Sequence, residues 1–563
     1  MKTYKILIWN LAILTIVNIN LYADILRIPV SIKSENSFLP ASERSEVNGI
    51  DDGTIICWLE ETNNGSLRIQ KIDNTGKVMW AENGVLVDSY LGSGFTADSD
   101  YPLIFSDKKG GAIVIYRKIF FDREDIYFQK VDINGNYFLA PVCLSSFYGG
   151  YNYSPSAVMT KSNNIAVTWE NFSGGDFNIH AQMIDPNGVK LWNNGKEVEV
   201  CNVNYDQRKP AISSNKNGHI IISWLDARNY SEYSFDLFAN LLDSNGAAIT
   251  FDAKGKLIFR KVNPRNSRKD VFYNHNMIPS NNNNFIIAIE HSLDNQFSNI
   301  NVLKVNENLD REWILDLQSG SHQSRPLITT DNNNGAGVIW SDGDIYRNEI
   351  FGIVVTKDGN IVWGSKTGSR ISCDESKDPY SKILPVEKIH NGFYISGDRI
   401  FLNWVSTNLN KLFVTNLYLA DESAQCKNTL EIQDEISEGE YTSITSHGNI
   451  AVIVYRQSGS IYATLWNISG KGFTQSDLKP EPVNFPNPFN PTTNITFSIP
   501  SDGFVRLSVY DITGRLISNL INEHKSAGEY KVKFDGSKLS SGVYFYSLEV
   551  NGAAHTKRMT MIK

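Results

Sequence analysis

Tyrosine, arginine and aspartate residues recur together in the longer polar segments of this chain, and side chains of these types are suited to binding. A tyrosine ring offers a flat apolar face with a hydroxyl at its tip, and arginine offers five N–H donors in one plane. Such residues form protein interfaces and platforms for stacking sugar rings. The pattern predicts a ligand-binding surface that contains Tyr148, Tyr151, Tyr153, Tyr205, Arg208, Arg228, Tyr230, Tyr233, Arg325, Asp342, Tyr346 and Arg347.

Other aromatic residues occupy the same kind of segment, and they leave two interpretations open. Long loops on a rigid scaffold are where binding usually resides. Alternatively, many of these rings pack between structural repeats and contact no ligand. The residues concerned are Tyr90, Phe95, Tyr101, Phe120, Phe121 and Phe147.

Signatures of catalysis are missing from the sequence. The nine histidines show no H-E-x-x-H spacing, and the chain contains no Gly-x-Ser-x-Gly, phosphate loop or dinucleotide fingerprint. Residues 331–335 resemble a calcium loop in spacing but lack the later glutamate, so a hairpin turn is the simpler interpretation. We therefore predict no cofactor and no metal site, and the sequence favours a binding protein over an enzyme without deciding between them.

Short apolar runs separate these polar segments and form an internal repeat. The runs end on aligned aromatic residues about 57 residues apart on average, a period that suits four-stranded propeller blades. The sequence predicts an all-β fold, a seven- or eight-bladed β-propeller over residues 24–475. The aligned positions are Trp58, Tyr116, Trp169, Trp224, Trp340, Trp404 and Tyr455, with Ile289 at a degraded fifth unit.

Turn residues divide the connections into two sets. Tight polar turns such as Asn187-Gly188 and Asn245-Gly246 should join first to second and third to fourth strands. The longer aromatic connections should then share the opposite face. The last unit supplies three strands, so residues 25–32 are predicted to complete it and close the ring, which removes an exposed edge.

Composition and the first residues indicate export. The formal net charge of -8 gives no attraction to nucleic acid. Residues 1–23 read as a signal peptide; three asparagines interrupt the apolar stretch and argue against a membrane anchor, and no later spanning segment follows. The cysteines are dispersed, and we predict that Cys143 is not bonded to Cys201, nor Cys373 to Cys426.

A separate module follows a proline-containing linker at residues 476–484. Residues 485–563 alternate apolar and polar runs between turns, which predicts a small Ig-like β-sandwich. The runs FPNPFNPTTNITFSIP, VRLSVYDITGRLI and SSGVYFYSLEV and the basic ending closely resemble the type A C-terminal sorting domain of the Por, or type IX, secretion system. The residues that carry the resemblance are Pro486, Asn487, Pro488, Phe489, Asn490, Pro491, Gly514, Gly542, Tyr544, Lys557 and Lys563.

The resemblance implies recognition by the type IX secretion machinery, export through the outer membrane of a Bacteroidota-like bacterium, and attachment to the cell surface or release. We therefore expect a secreted or cell-surface propeller that binds a carbohydrate or protein ligand. One alternative is a sialidase-like glycoside hydrolase, because Arg208, Arg268 and Arg325 precede three first strands as a carboxylate-binding cluster would. The Asp-box repeat of sialidases is absent, however, and such arginines could instead pair with a neighbouring blade. A structural or adhesive protein is the other alternative.

Overall fold

The fold is known from a computed structural model, and the description is confined to a defined part of the chain. Residues 1–24, with the predicted signal peptide, lie outside it. The described residues are 25–31, 37–62, 64–81, 83–89, 91–92, 101–145, 150–229, 235–249, 254–260, 271–293, 297–317, 319–331, 333–343, 348–371, 381–382, 393–396, 399–406, 411–419, 429–433, 442–447, 450–457, 459–467, 483–485, 487–499, 503–525, 528–550 and 553–563.

The chain begins with β1 (Ile25–Pro29) and continues into repeated four-stranded antiparallel units, which we call blades and number in chain order. Blades II and III are joined into one sheet by a single parallel contact between β8 and β10. The strands of blades I to IV are β2 (Ser37–Val47), β3 (Ile50–Glu60), β4 (Ser66–Ile72) and β5 (Val85–Asp88); β6 (Leu103–Ser106), β7 (Ala112–Ile119), β8 (Glu124–Val131) and β9 (Val142–Cys143); β10 (Tyr151–Met159), β11 (Ile165–Ser173), β12 (Asp176–Ile184) and β13 (Val198–Cys201); and β14 (Gln207–Ser214), β15 (Ile220–Asp226), β16 (Asp236–Leu242) and β17 (Lys256–Phe259).

Two single turns of 3₁₀ helix, Asn193–Gly195 and Asn281–Asn283, lie in connections between strands. Blades V to VIII then continue the chain, each again built of consecutive antiparallel strands. Their strands are β18 (Val271–Pro279), β19 (Phe285–Leu293), β20 (Phe297–Val305) and β21 (Arg311–Leu317); β22 (His322–Thr330), β23 (Ala336–Gly343), β24 (Asn348–Val355), β25 (Ile361–Trp363) and β26 (Ser369–Arg370); β27 (Ser381–Lys382), β28 (Phe393–Ser396), β29 (Arg399–Ser406), β30 (Lys411–Tyr418) and β31 (Thr429–Gln433); and β32 (Thr442–His447), β33 (Ile450–Gln457) and β34 (Ser460–Asn467).

Second strands are apolar along their whole length because both of their faces are covered. In β15 every residue of the run IIISWLD is buried, which is the pattern of a strand packed on two sides. The aromatic residues that set the repeat, from Trp58 to Tyr455, all lie at this level of their blades and are buried, as is Ile289 in β19. The predicted register of the repeat is confirmed.

Each blade packs face to face on the next. Apolar clusters join consecutive blades from I to VIII in order. Blade VIII in turn contacts blade I, where β2 lies against β32, β33 and β34, and the Ser42 and Ser443 hydroxyls are 2.7 Å apart. Over the described residues the eight units therefore form a closed ring, an eight-bladed β-propeller.

The ring is closed by the first strand of the chain. β1 pairs with β34 as the outermost strand of blade VIII. Just beyond it, the backbone N–H groups of Val30 and Ser31 both donate to the Ile461 carbonyl, at 2.9 and 3.1 Å. The sequence prediction for residues 25–32 is confirmed as far as Ser31.

Tryptophan residues of blades I, III and V each donate a hydrogen bond to the following blade at the outer rim. The indole N–H of Trp192 in blade III donates to the Ser244 carbonyl of blade IV at 2.9 Å. Trp80 and Trp313 make the equivalent bond from blades I and V. The receiving turn holds a glycine with φ near +82°, such as Gly246, whose Cβ position would lie 2.7 Å from the Trp192 ring. The Asn-Gly signal therefore reflects both turn geometry and the approach of an indole.

Cysteines contribute no crosslink in the described part of the propeller. Cys57, Cys143 and Cys201 are free thiols, which confirms the prediction that Cys143 and Cys201 are not bonded to each other. Cys373 and Cys426 lie outside the described residues, so the second pair remains a prediction.

The chain divides into two compact units, with Leu26–Ile468 in one and Ser469–Lys563 in the other. The C-terminal unit is a sandwich of two antiparallel sheets around one apolar core, which agrees with the predicted Ig-like module. In neither unit do the described residues include a helix that is long and apolar enough to cross a membrane. The strands of the sandwich are β35 (Val483–Phe485), β36 (Thr492–Ile499), β37 (Gly503–Asp511), β38 (Leu516–Lys525), β39 (Gly528–Asp535), β40 (Gly542–Val550) and β41 (Ala553–Met561).

Candidate functional site

Strand alternation gives the propeller two different faces. The short turns after first and third strands, such as 215–219 and 243–247, share the face that we call the turn face. The connections after second and fourth strands share the opposite face, which we call the loop face. On the turn face a side chain satisfies its own backbone, as where the Asp243 carboxylate accepts the N–H groups of Asn245 and Ala247. Polar side chains that bond to their own turn in this way are not available to a ligand, so we look for the binding site on the loop face.

A row of two aromatic rings with an arginine at each end crosses the loop face from blade II to blade IV. The Arg117 guanidinium lies 5.3 Å from the centre of the Tyr153 ring, and Tyr153 lies 5.9 Å from Phe177. The Arg208 guanidinium then covers Phe177 at 3.7 Å. Tyr151 stacks on Tyr153 with the ring planes 17° apart and is exposed. We call Arg117, Tyr153, Phe177 and Arg208 the aromatic row.

Carboxylates fix both ends of the aromatic row. Arg117 pairs with Glu124. At the other end Glu170, which is buried, accepts from Arg208 Nε at 2.9 Å and from the Lys209 N–H at 2.7 Å. Glu170 belongs to blade III and Arg208 to blade IV, so this pair also joins two blades. Burial and the nearby Glu124 carboxylate raise the pKa of Tyr153, so its phenol stays protonated.

A β-bulge in the first strand aims these side chains. In blades I, III, IV and VI the residue before a proline has φ between 51° and 55°: Leu39, Ser154, Lys209 and Arg325. The strand register shifts at each of these points. Bulges commonly turn side chains at the rims of closed sheets. Here the bulge brings Tyr153 and Arg208 to the loop end of the innermost strand.

Tyr205 is held beside the aromatic row by two reciprocal bonds. Its backbone N–H donates to the Asp176 carboxylate at 3.1 Å. The Phe177 N–H donates to the Asp206 carboxylate, also at 3.1 Å. The connection into blade IV is thereby tied to the β11–β12 hairpin. Tyr205 remains exposed there, so a ligand could reach its ring.

Arg228 and Asp342 were predicted as ligand contacts. The structure places Asp342 in an internal network, whereas Arg228 is held by the buried Asp226 carboxylate and keeps 18% of its side chain exposed. The buried Asp226 carboxylate accepts from Trp224 Nε1 at 2.7 Å and from Arg228 Nε at 2.8 Å. Asp342 is buried and accepts from Ser319 and from Trp340 Nε1, at 3.0 and 3.1 Å. Each acid supports the aromatic residue of its own blade.

The other predicted positions divide into three groups. Arg325 is exposed, while its backbone N–H donates to Glu290 at 2.9 Å. Tyr101 is buried and donates to the Pro40 carbonyl, so this ring packs between blades. Phe121 is fully exposed, and Phe120 is half-buried with the Arg123 guanidinium 4.3 Å from its ring centre. The remaining predicted residues lie outside the described part of the chain: Tyr90, Phe95, Phe147, Tyr148, Tyr230, Tyr233, Arg268, Tyr346 and Arg347.

A groove of about 1040 Å³ lies at the outer edge of blades II, III and IV. Cys143 and His180 both line it. Burial raises the pKa of the Cys143 thiol, which makes it a poor nucleophile. Searched over the described residues alone, the structure contains no group of three or more His, Cys, Asp or Glu side chains placed to hold a metal ion.

In the sandwich, the two ends of the sorting signature meet. Asn487 Oδ1 accepts the Thr560 N–H at 2.8 Å. Phe489 is buried; its N–H donates to the Thr560 carbonyl and its carbonyl accepts from Ile562, at 2.9 and 3.0 Å. Residues predicted from the sequence as one motif at the start and another at the end are therefore one local structure.

Several other signature residues have structural roles. The Tyr544 hydroxyl donates to the Ser540 carbonyl at 2.8 Å, and the Pro491 carbonyl accepts the Gly536 N–H at 2.8 Å. Gly514 adopts φ +83° in a tight turn. Pro486 lies outside the described residues. Lys557 is half-buried, and the described signature residues that are exposed are Asn487, Pro488, Asn490, Pro491, Gly514, Gly542 and Lys563.

Residues 484–563 match the family described as secretion system C-terminal sorting domain. This match confirms the resemblance that the sequence motifs indicated. A tail of this type implies recognition by the type IX secretion system and export to the cell surface or beyond it. Comparison with curated proteins gives no significant match to the chain.

Solved structures similar to this chain include carbohydrate-active enzymes. The polysaccharide lyase Uly1 is 9% identical, with 69% of this chain and 94% of that chain covered and a TM-score of 0.40. Hadza microbial sialidase Hz136 is 10% identical, with 79% and 95% covered and a TM-score of 0.36. An endo-arabinase from Bacteroides thetaiotaomicron is 10% identical, with 46% and 95% covered and a TM-score of 0.30. Scores below 0.5 carry no inference about activity.

Sequence reasoning missed Arg117, Glu170 and Phe177. Arg117 and Glu170 directly follow the aligned aromatic residues Tyr116 and Trp169. Successive residues of a strand point to opposite faces, so Arg117 and Glu170 point towards the next blade, whereas the aromatic residues before them point towards the preceding blade. For Arg117 and Glu170, the signal in the sequence was the position directly after an aligned aromatic residue.

Proposed function

We propose that this protein is a secreted or cell-surface binding protein whose propeller holds a carbohydrate on the loop face of blades II to IV. The observation that carries the proposal is the aromatic row with Tyr151 exposed at its edge. A stacked pair of tyrosines offers a flat apolar surface, while arginine and carboxylate groups beside it can bond to hydroxyls. The rings are fixed in advance by neighbouring charges, so little side-chain entropy is lost on binding.

A glycan-array screen of the purified chain tests the proposal directly. We expect retention of one class of extended glycan. Retention of none, together with capture of a defined surface protein, would favour the protein ligand that the sequence left open.

Arg208 bonds to Glu170 of the neighbouring blade, which is the pairing between blades that the sequence analysis gave as the alternative to a carboxylate-binding cluster.

Replacing both Tyr151 and Tyr153 by alanine should weaken binding of the retained glycan by about 1–3 kcal/mol, because two stacked anchor rings are lost. Isothermal calorimetry measures the effect. The control is Asn187→Ala, in a turn-face connection, which should alter stability slightly and affinity not at all. If the tyrosine variant and the unchanged protein bind the glycan with equal affinity, these rings pack between blades and do not contact the ligand.

The sorting domain carries the export signal, so its removal should abolish export without unfolding the propeller. We expect a chain without residues 482–563 to keep its β-propeller circular dichroism but to remain in the periplasm, because the propeller closes its own ring through β1. Cell fractionation with a periplasmic marker checks the location. Recovery of the truncated chain outside intact cells would contradict the prediction.

A further inference from the structure

Ion pairs at the loop end of blade IV share one orientation. Arg208, Arg228 and Arg260 pair with Glu170, Asp226 and Asp236, and in each pair the arginine is the more exposed partner. The Arg208 side chain is 38% exposed against 1% for Glu170, and Arg260 is 32% exposed against 1% for Asp236. Each carboxylate is thus buried under its arginine. We call Arg208, Arg228 and Arg260 the arginine row.

The strand register sets the arginine row along one line. Gln207 pairs with Asp226 across β14 and β15, and Asp226 pairs with Asp236 across β15 and β16. Leu237 then pairs with Phe259, next to Arg260. Neighbouring strands lie about 4.8 Å apart, so the row extends roughly 14 Å from the innermost to the outermost strand. The spacing between neighbouring strands, about 4.8 Å, is comparable to the length of one sugar ring.

Ion pairs on the turn face lack this common orientation. In Lys71–Asp52 and Lys304–Glu312 the lysine is buried and the acid is the more exposed partner. In Lys108–Glu46 the lysine is the more exposed partner. Acidic groups also reach the surface of blade II, where Asp122 beside Arg123 is exposed. Single arginines also cover buried acids in blades I and II, where Arg68 pairs with Glu60 and Arg123 with Asp125. Blade IV differs in carrying three such arginines at one loop end.

Buried carboxylates prepare these arginines for an anionic ligand. A guanidinium has five N–H donors and matches the geometry of a carboxylate or another oxyanion. Glu170 takes the Nε donor of Arg208, and Asp236 takes the Nε donor of Arg260 at 3.0 Å. The partly exposed guanidinium is held in place, and its fixed orientation lowers the entropy lost on binding.

We propose that the ligand of the loop face is an acidic polysaccharide, whose carboxylate or sulfate groups bind the arginine row while its rings contact Tyr151 and Tyr205. This inference rests on the proposed carbohydrate-binding function and names its ligand class. Arg208 belongs to both the aromatic row and the arginine row, so one chain can engage both. Uronate and sulfated sugars present the same chemistry here.

Binding to three polymers separates the possible sources of charge. The full chain is titrated with polygalacturonate, which carries carboxylates, with dextran sulfate, and with neutral dextran. We expect binding to at least one of the charged polymers, little to dextran, and strong weakening at about 0.5 M NaCl, where charges are screened. No binding to either polyanion, or equal binding to dextran, would overturn the inference.

Paired substitutions avoid leaving a buried charge alone. Asp236→Asn with Arg260→Gln should lower affinity for the charged polymer roughly tenfold, as expected for loss of a hydrogen bond to a charged group. The matched control is Lys256→Gln with Asp310→Asn, which removes an ion pair between blades IV and V on the turn face, where Lys256 Nζ lies 2.5 Å from Asp310. The control should stay within about twofold, since no ligand contact is lost.

Failure of the ligand class is distinguishable from failure of the proposed function. If the Tyr151 and Tyr153 variant loses affinity while the Arg260 variant keeps it, the protein binds a carbohydrate through its rings and the acidic class is wrong. If neither variant loses affinity for a polymer that binds, the loop face is not the site and both proposals fall. Thermal unfolding of each variant identifies any loss that comes from misfolding.

Discussion

Deleting Ile25–Ser31 is expected to lower the free energy of unfolding of the propeller by about 4–8 kcal/mol. Ile28 and Val30 are buried, and two backbone N–H groups bond to the Ile461 carbonyl. Without these residues β34 becomes an open edge, and such edges pair with other chains. Urea unfolding followed by tryptophan fluorescence gives the energy, and light scattering reports the association of open rings.

A synthetic peptide spanning residues 24–36 provides the control for this deletion. If the loss comes from the missing strand, the peptide should restore stability, and a peptide of the same composition in scrambled order should not. An unfolding curve that the deletion leaves unchanged would show that β1 contributes nothing to closure.

Gly255→Ala is expected to cost about 2–5 kcal/mol of stability, the second largest effect. Gly255 adopts φ +67°, and its Cβ position lies 2.4 Å from the Trp224 ring, which is buried at the centre of blade IV. A left-handed conformation costs an alanine about 1–2 kcal/mol, and overpacking a core costs about 1–3 kcal/mol more. Differential scanning calorimetry of the purified chain measures the total.

Gly218→Ala separates these two costs. Gly218 belongs to the same blade and has φ +82°, but its Cβ position has no neighbour within 4 Å. This variant should lose only the conformational part, about 1–2 kcal/mol. Equal losses at Gly218 and Gly255 would mean that the Trp224 ring moves aside freely, which would contradict the close packing of the blade.

Fold class and blade register followed from the sequence because they depend on local chemistry. Trp224 and Trp340 recur with the repeat since a second strand is covered on both faces, and Asn245-Gly246 marks a turn that requires a positive φ. The units around Ile289 and Trp404 are degraded, so the sequence could not decide between seven and eight blades. Both units form a sheet of their own, β18-β19-β20-β21 in blade V and β27-β29-β30-β31 in blade VII.

The candidate site was only partly predictable because it depends on contacts between blades. Tyr151, Tyr153, Tyr205 and Arg208 were identified from residue type, and the structure brings them together. The position of Phe177 depends on how a hairpin of blade III meets the first strand of blade IV, and no spacing within one repeat encodes that meeting. The roles of Asp226 and Asp342 likewise depend on which indole N–H lies beside each carboxylate.

Ring closure by β1 has a consequence for the order of synthesis. Val30 and Ile461 stand 431 positions apart, so the first strand to leave the ribosome waits for nearly the last strand of the propeller. Contacts this remote form late and slowly. The sorting domain comes after β34 in the chain, from residue 484 onwards. A polypeptide whose synthesis stops before β34 therefore lacks both the strand with which β1 pairs and the tail that directs export, and only molecules able to close the ring carry the signal to leave the cell.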